Sequence, residues 1–276
     1  MGGPAPVIHS SQFRIHNFFL MNVKTFLALL MRDARVARRN FIPLVLQTLL
    51  QPMLLVFIFG RVMTTSGYMP VQYKSLLLPG IMALSMVLSG IQAVAMPLIS
   101  EFQFSKEIED RLLAPIEIEW VAIEKVLSGM IQALMAGLVV LPSAWLVMGK
   151  GVDIRLPQLL LFAAVCLLVA LLSSTMGLTM GCTIGQTQIG LMFSLVFAPL
   201  IFFGCTYYPW SALARFPVLQ KAVLLNPVVY ASEGLRSALV PQFPHLAAAV
   251  VLAALTLFDA VFLAVGLRQF RRKAIH

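Results

Sequence analysis

Seven of the 11 acidic residues fall in one short stretch, at Glu101, Glu107, Glu109, Asp110, Glu117, Glu119 and Glu124. Carboxylates at that density either keep a loop in water or steer a basic partner onto it. Interleaved with them are Phe102, Phe104, Ile108, Leu112, Leu113, Ile116, Ile118 and Trp120, more apolar surface than a merely solvated loop carries. A short helix with both kinds of residue is a docking surface for a cytosolic protein. Its acidic groups Glu107, Glu109 and Asp110 would steer, and Leu112, Leu113 and Ile116 would anchor. A plain acidic loop is the alternative.

Three other groups of residues could do chemistry or hold helices together. Glu233 and Arg236 stand at i and i+3, a spacing that lets them pair on one helix face. Asp259 is the one acid deep in an apolar run. A lone charge at the centre of a membrane helix costs about 2.5–3.5 kcal/mol, so this carboxyl must be protonated, paired or turned toward water. Ser173, Gly177, Gly181 and Gly185 recur every four residues, a stripe along which another helix can approach closely. That approach serves equally for internal packing or for contact with a second subunit. Gln47, Gln51, Gln92 and Gln132 also lie in apolar runs, and their amides must bond between helices or line a polar path.

Other chemistries lack their residues. There is no G-x-x-x-x-G-K-[ST] phosphate cradle, since Gly149-Lys150 is followed by Gly151. His9, His16, His245 and His276 are scattered, and no Cys, His, Asp and Glu cluster has metal-ligand spacing. No G-x-S-x-G elbow occurs. Cys166, Cys182 and Cys205 are odd in number and sit in or beside apolar runs, as small buried side chains do. The chain is expected not to be an enzyme by itself, which leaves transport or passive interaction.

The elements that carry these residues follow from composition. Of 276 residues 60% are apolar and 11% charged, against about 25% charged in a soluble domain, so a water-soluble globule is excluded. A hydrocarbon core about 30 Å thick needs about 20 apolar residues of helix. Six such runs appear, near Phe41–Arg61, Leu76–Ser100, Val126–Met148, Pro157–Gly181, Ile189–Tyr208 and Leu246–Leu267. The net charge of +9 belongs to a membrane surface rather than to nucleic acid, because 13 of the 20 basic residues flank these runs on one side. Both termini are therefore expected in the cytoplasm, and the first span is expected to act as the targeting signal.

Val23, Phe26, Leu27 and Leu30 recur at helical spacing before the first basic cluster, which suits a helix lying in the inner interface. Between Tyr208 and Leu246 the chain is too polar to span and too apolar for a free loop. Prolines at 209, 217, 227, 241 and 244 cut it into pieces that fit half-helices dipping into the outer leaflet, or an interfacial helix anchored by Tyr207, Tyr208 and Trp210. The sequence thus predicts an all-α integral membrane protein in three parts. Residues 1–40 form a cytoplasmic segment with the interfacial helix, and 268–276 a basic cytoplasmic tail. Residues 41–267 form the six-span domain, with the acidic loop at 101–125 and a re-entrant segment at 206–245.

At this point the residues resemble a particular family, the membrane subunit of type 2 bacterial ATP-binding-cassette exporters of the drug and polysaccharide kind. Arg32 to Asn40 followed by LLQPMLLVFIFG (Leu49 to Gly60) is similar to that family's basic elbow and first span. DRLLAPIEIEWVAIEKVL (Asp110 to Leu127) resembles its inner-loop signature. LNPVVYASEGLRSAL (Leu225 to Leu239) resembles its outer re-entrant hairpin. The resemblance implies that Glu107, Glu109, Asp110, Leu112, Leu113, Pro115 and Ile116 belong to a coupling helix. It likewise implies that Asn226, Pro227, Tyr230, Glu233 and Arg236 belong to an outer gate. It implies two copies of this subunit, or this one with a related permease, in the bacterial cytoplasmic membrane. Two cytosolic ATPase subunits would complete the assembly and hold ATP and magnesium, with no cofactor on this chain. The expected function is outward movement of an amphiphilic drug-like or lipid-like substrate. Polysaccharide is less favoured, because the outer segments are not rich in rings that stack on sugars. A channel or scaffold without an ATPase is the rival.

Overall fold

The computed structural model describes residues 30–31, 50, 52–102, 118–149, 158–185, 188, 190 and 192–275. Among them every regular element is helical. Four helices are long and apolar enough to cross a membrane: α2 (Tyr73–Ser100), α3 (Ile118–Met148), α4 (Leu159–Thr183) and α8 (Ala248–Ile275). A shorter apolar helix α1 (Pro52–Thr65) precedes them, and its middle, Val56–Val62, widens into a π-helix. Between α4 and α8 lie a π-helical turn Met192–Phe197 and the short α5 (Ala198–Phe202). Then come a 3-10 turn Trp210–Arg215, α6 (Pro217–Ala222), a 3-10 turn Val223–Leu225 and α7 (Pro227–Leu239).

The helices differ in what they touch. In its most apolar stretch α2 is 78% buried, whereas α8 is 17% buried, so α2 is the central strut and α8 the rim. On α8 the stripe Val251, Leu255, Asp259 and Phe270 is buried, while Leu257, Val261 and Val265 face outward. Apolar side chains on such an outer face are what a bilayer accepts. Glycines set the close contacts. A Cβ on Gly177 would meet the Ile91 carbonyl oxygen at 2.9 Å, and one on Gly181 the Ala95 Cα at 3.0 Å. The stripe that begins at Ser173 therefore packs α4 against α2 within this chain. Gly185 lies beyond the end of α4 and makes a turn with Gln188, whose backbone N–H donates to the Gly185 oxygen at 3.0 Å.

Several element ends differ from the sequence expectation. The third span starts eight residues early, at Ile118, because Val121, Ala122 and Val126 form an apolar face that packs on Leu98, Leu178 and Phe270. The last helix runs on to Ile275 without a break, and Phe270 in its final turns is buried. The fifth run, expected over Ile189–Tyr208, is helical only through Phe202, after which Cys205 takes a left-handed conformation with φ 52°. Of the interfacial helix expected around residues 23–30 only Leu30, which is helical, is described, and the coupling segment Glu107–Ile116 lies outside the described residues.

Candidate functional site

Polar side chains gather at the two ends of the bundle, and each gathering has its own logic. At the Tyr73 end the problem is α5. A helix leaves its last four carbonyls without partners in the helix, and α5 stops at Phe202 while still among other helices. Donors arrive from the segment that follows. The Asn226 amide donates to the oxygens of Pro199 at 3.4 Å and Leu200 at 3.2 Å. The Thr206 hydroxyl donates to Ile201 at 3.2 Å and the Tyr208 hydroxyl to Phe202 at 2.9 Å. The Asn226 oxygen accepts from the Val228 N–H at 3.0 Å, so the same residue also caps the start of α7, with Pro227 in the first helical position where no N–H is needed.

Helix α7 sits inside the bundle, packed on α2, α4 and α8. Glu233 and Arg236 on it are fully buried and paired with each other. Glu233 Oε1 also accepts from the Trp210 N–H at 2.8 Å, and Oε2 accepts from the Leu246 N–H at 2.9 Å. Arg236 Nη2 donates to the Cys205 oxygen at 3.0 Å. One ion pair thus fastens three separate pieces of chain: the turn after α5, the start of the 3-10 turn and the lead-in to α8. Ser232 adds a bond to the Gly204 oxygen at 2.5 Å, and the Tyr230 hydroxyl donates to the Leu224 oxygen at 3.0 Å. These bonds hold Cys205 in its left-handed turn, a conformation that costs a non-glycine residue about 1–3 kcal/mol.

The hairpin is also fixed to α2. The Tyr73 hydroxyl donates to the Tyr207 oxygen at 2.8 Å. Gly80 lets the Thr206 backbone come so near that a Cβ there would sit 1.8 Å from its carbonyl oxygen. Nearby, Lys74 Nζ donates to the Met148 oxygen at 2.9 Å and Arg61 to the Val147 oxygen at 3.3 Å. Two cations thereby cover the carbonyl end of α3, where helix dipoles favour positive charge.

At the Ser100 end the chain leaves α2 for the acidic segment and returns as α3. Glu101 and Lys125, 24 residues apart, meet there at 2.8 Å, and both are buried. Glu124 beside them is fully buried. The last turns of α8 reach the same place. Lys273 Nζ lies 4.8 Å from the Phe102 ring centroid, a cation–π distance, and Phe270 packs edge-on to Phe102 at 5.7 Å. Arg271 and Glu119 approach to 3.7 Å on the surface. The spacing that brings Glu101 to Lys125 follows neither a helical period nor a motif, and nothing short of the folded loop base shows it. Gly80 and Thr206 were equally silent in the sequence.

The remaining predicted residue, Asp259, lies midway along α8 on its buried stripe, and neither carboxylate oxygen has a hydrogen-bond partner among the described residues. Among those residues no three His, Cys, Asp or Glu side chains come together as a metal site. Among curated proteins none matches the chain. A family model, by contrast, described as ABC-2 type transporter, matches residues 24–240, from before the first apolar helix to the end of the hairpin. With four helices long and apolar enough to cross a membrane, the chain is a multi-pass membrane protein that belongs to the ABC-2 type transporter family.

Proposed function

We propose that the chain is the permease subunit of an exporter, driven by ATP hydrolysed on a separate subunit. Membership of the family implies an ATP-binding-cassette ATPase as partner. The observation that carries the mechanism is the buried Glu101–Lys125 pair. It joins the end of α2 to an early turn of α3, so the two helix ends from which the acidic stretch departs and to which it returns are fastened to each other. A force applied there by a docked ATPase passes into α2 and α3 rather than being lost in a slack loop. Glu107, Glu109 and Asp110 steer the ATPase, Leu112, Leu113 and Ile116 fill its groove, and Pro115 belongs to the same coupling segment. The ATPase holds ATP and magnesium.

In this reading the Ser100 end faces the cytoplasm, as the basic residues Arg268, Arg271, Arg272 and Lys273 near the end of α8 favour. The membrane is the bacterial cytoplasmic one, crossed six times, and both termini lie inside. The hairpin is then the outer gate. Asn226, Pro227, Tyr230, Glu233 and Arg236 move as one body, because their bonds run within the hairpin and its immediate supports. Two permeases face each other across the exit, and the substrate is an amphiphile.

The test is co-purification with the cognate ATPase. Charge reversal at Glu107, Glu109 and Asp110 together is expected to weaken the complex, more at low salt than at high. A complex indifferent to all three changes removes the proposed surface, and a chain that captures no ATPase at all favours the channel or scaffold. Gate movement is read by cysteines placed on the two facing hairpins. Crosslinking that ignores ATP reduces the gate to a fixed lid.

A further inference from the structure

Asp259 is an expense that the fold does not offset. It lies 11 residues into α8, about 16 Å along a helix that rises 1.5 Å per residue, which is mid-depth in a bilayer core. It is 4% exposed, and neither carboxylate oxygen has a hydrogen-bond partner among the described residues. Among the described residues no side chain packed against α8 offers it a charge. The whole of α4, Leu159–Thr183, is uncharged. On α7 the two charged groups, Glu233 and Arg236, are tied to each other and to the backbone of Trp210, Leu246 and Cys205. The charges of α3, Glu119, Glu124 and Lys125, all lie in its first turns at the Ser100 end. On α8 itself the nearest cation is Arg268, nine residues on and pointing outward. Hydroxyls at this level of α4 are also occupied: Ser174 and Thr175 donate to their own helix at 2.8 and 2.9 Å.

Beside this carboxyl runs a column of rings. Tyr230 on α7 lies 5.9 Å from Phe258, and Phe258 stacks at 6.3 Å with Phe262. Phe258 precedes Asp259 and Phe262 follows it by three residues, so the rings border the acid on the side of α8 that turns toward α7. All three rings are half-buried rather than sealed in, and Leu257 and Val261 next to them are exposed to the bilayer. A buried carboxyl bordered along the helix by partly exposed ring faces is a pairing that can take a desolvated organic cation, whose charge would hold the carboxyl ionised.

We propose that Asp259, flanked by Phe258, Phe262 and Tyr230, binds the positive head of a lipophilic cation that enters from the membrane. One positive charge meets one carboxylate, the cation's apolar body lies against the rings and lipid, and no bond is made or broken. The proposal sharpens the exporter reading by naming a substrate class and rests on that reading for its meaning in transport. The binding itself needs no ATPase.

The experiment therefore uses the full chain alone in detergent, with radiolabelled tetraphenylphosphonium as probe and equilibrium dialysis as readout. Tetraphenylborate, of the same size and opposite charge, is the control. The native chain is expected to bind the phosphonium and not the borate. Asp259→Asn is expected to weaken phosphonium binding roughly tenfold or more, about the worth of one desolvated charge contact. Asp259→Glu is expected to keep most of it, and Phe258→Leu to lose roughly two- to fivefold. Each variant is first shown to elute as the native particle does. Equal binding by Asp259→Asn, or equal binding of both probes by the native chain, overturns the site. Failure of the chain to stimulate an ATPase, with phosphonium binding intact, overturns the exporter reading and leaves the site standing.

Discussion

The two ends of the bundle each contain a buried ion pair, and the pairs do different work. At the Tyr73 end Glu233 and Arg236 sit one helical turn apart on α7, and both also bond to the backbone, at Cys205, Trp210 and Leu246. At the loop end Glu101 and Lys125 stand on different helices and join them at one contact of 2.8 Å. The first arrangement makes a rigid plug, because no atom can leave without stranding several others. The second makes a joint, a bond between two packed helices at the edge of a partner's docking segment. Removing a residue should therefore unfold one end and disconnect the other.

The largest effect is expected at the plug. Removing one partner of a buried pair leaves an uncompensated charge and costs about 3–5 kcal/mol. Arg236→Ala strands Glu233 and releases Cys205, and it is expected to abolish the monodisperse peak on size-exclusion chromatography. Glu233→Gln keeps acceptance from one backbone N–H but loses charge, and it should lower the thermal midpoint without abolishing the fold. If either variant folds as well as the native chain, the plug is not rigid.

Gly80→Ala comes next and tests the same plug from outside. The new methyl would fall 1.8 Å from the Thr206 oxygen, a backbone atom that cannot swing away as a side chain tip does. Either α2 or the turn must shift, and overpacking of this kind costs about 1–3 kcal/mol. Faster cleavage by a protease in the segment 203–216 is the expected sign. Unchanged cleavage would mean that the turn rides freely on α2.

At the joint the expected loss is of coupling more than of fold. Lys125→Met takes the cation from beside the buried Glu101, so it is expected to lower the thermal midpoint while the chain still binds its ATPase and ATP hydrolysis no longer answers to transported substrate. The double variant Glu101→Leu with Lys125→Met should fold at least as well as the native chain, since replacing both charges by apolar groups of similar size is often neutral or stabilising. It should still fail in coupling if the ion pair is the link, whereas restored coupling would show that mere packing suffices.

The difference between the ends also explains what could be read from the sequence. Apolar runs long enough to cross a bilayer declare themselves, and α2, α3, α4 and α8 were legible to within a few residues at most ends. The i, i+3 pair on α7 is local, so spacing alone exposed it, whereas Asn226 at the head of that helix entered through the family resemblance. What stayed hidden depends on distant contacts. The turn that Arg236 holds is seated on α2 by Gly80 and Tyr73, more than 120 residues away from the Thr206 and Tyr207 they meet. Glu101 and Lys125 read as two charges among many in an acidic stretch until the helices bring them together. The end of the fifth run at Phe202 was equally illegible, because the side chains that accept its early stop come later in the chain, at Asn226 and Tyr208.

The smallest effect is expected at the outer edge of the joint. Glu119 and Arg271 are 41% and 66% exposed and 3.7 Å apart, in water rather than in the bundle. Such pairs gain little Coulomb energy at high dielectric and lose side-chain freedom, for a net of about 0–1 kcal/mol. Arg271→Ala should therefore leave the thermal midpoint within error at ordinary salt. Yet Arg271 shares the last turns of α8 with Lys273, whose ammonium lies over Phe102 at the foot of the acidic segment. That contact is partly withdrawn from water and holds an apolar ring in place, so Lys273→Ala is expected to matter more than Arg271→Ala although neither carries a strong ion pair. The measurement is coupling, as substrate-stimulated ATP hydrolysis, with stability as control. Should Arg271→Ala prove the more damaging, the exposed charges would be part of the ATPase contact itself, and the joint would extend from the buried pair to the surface of the helix end.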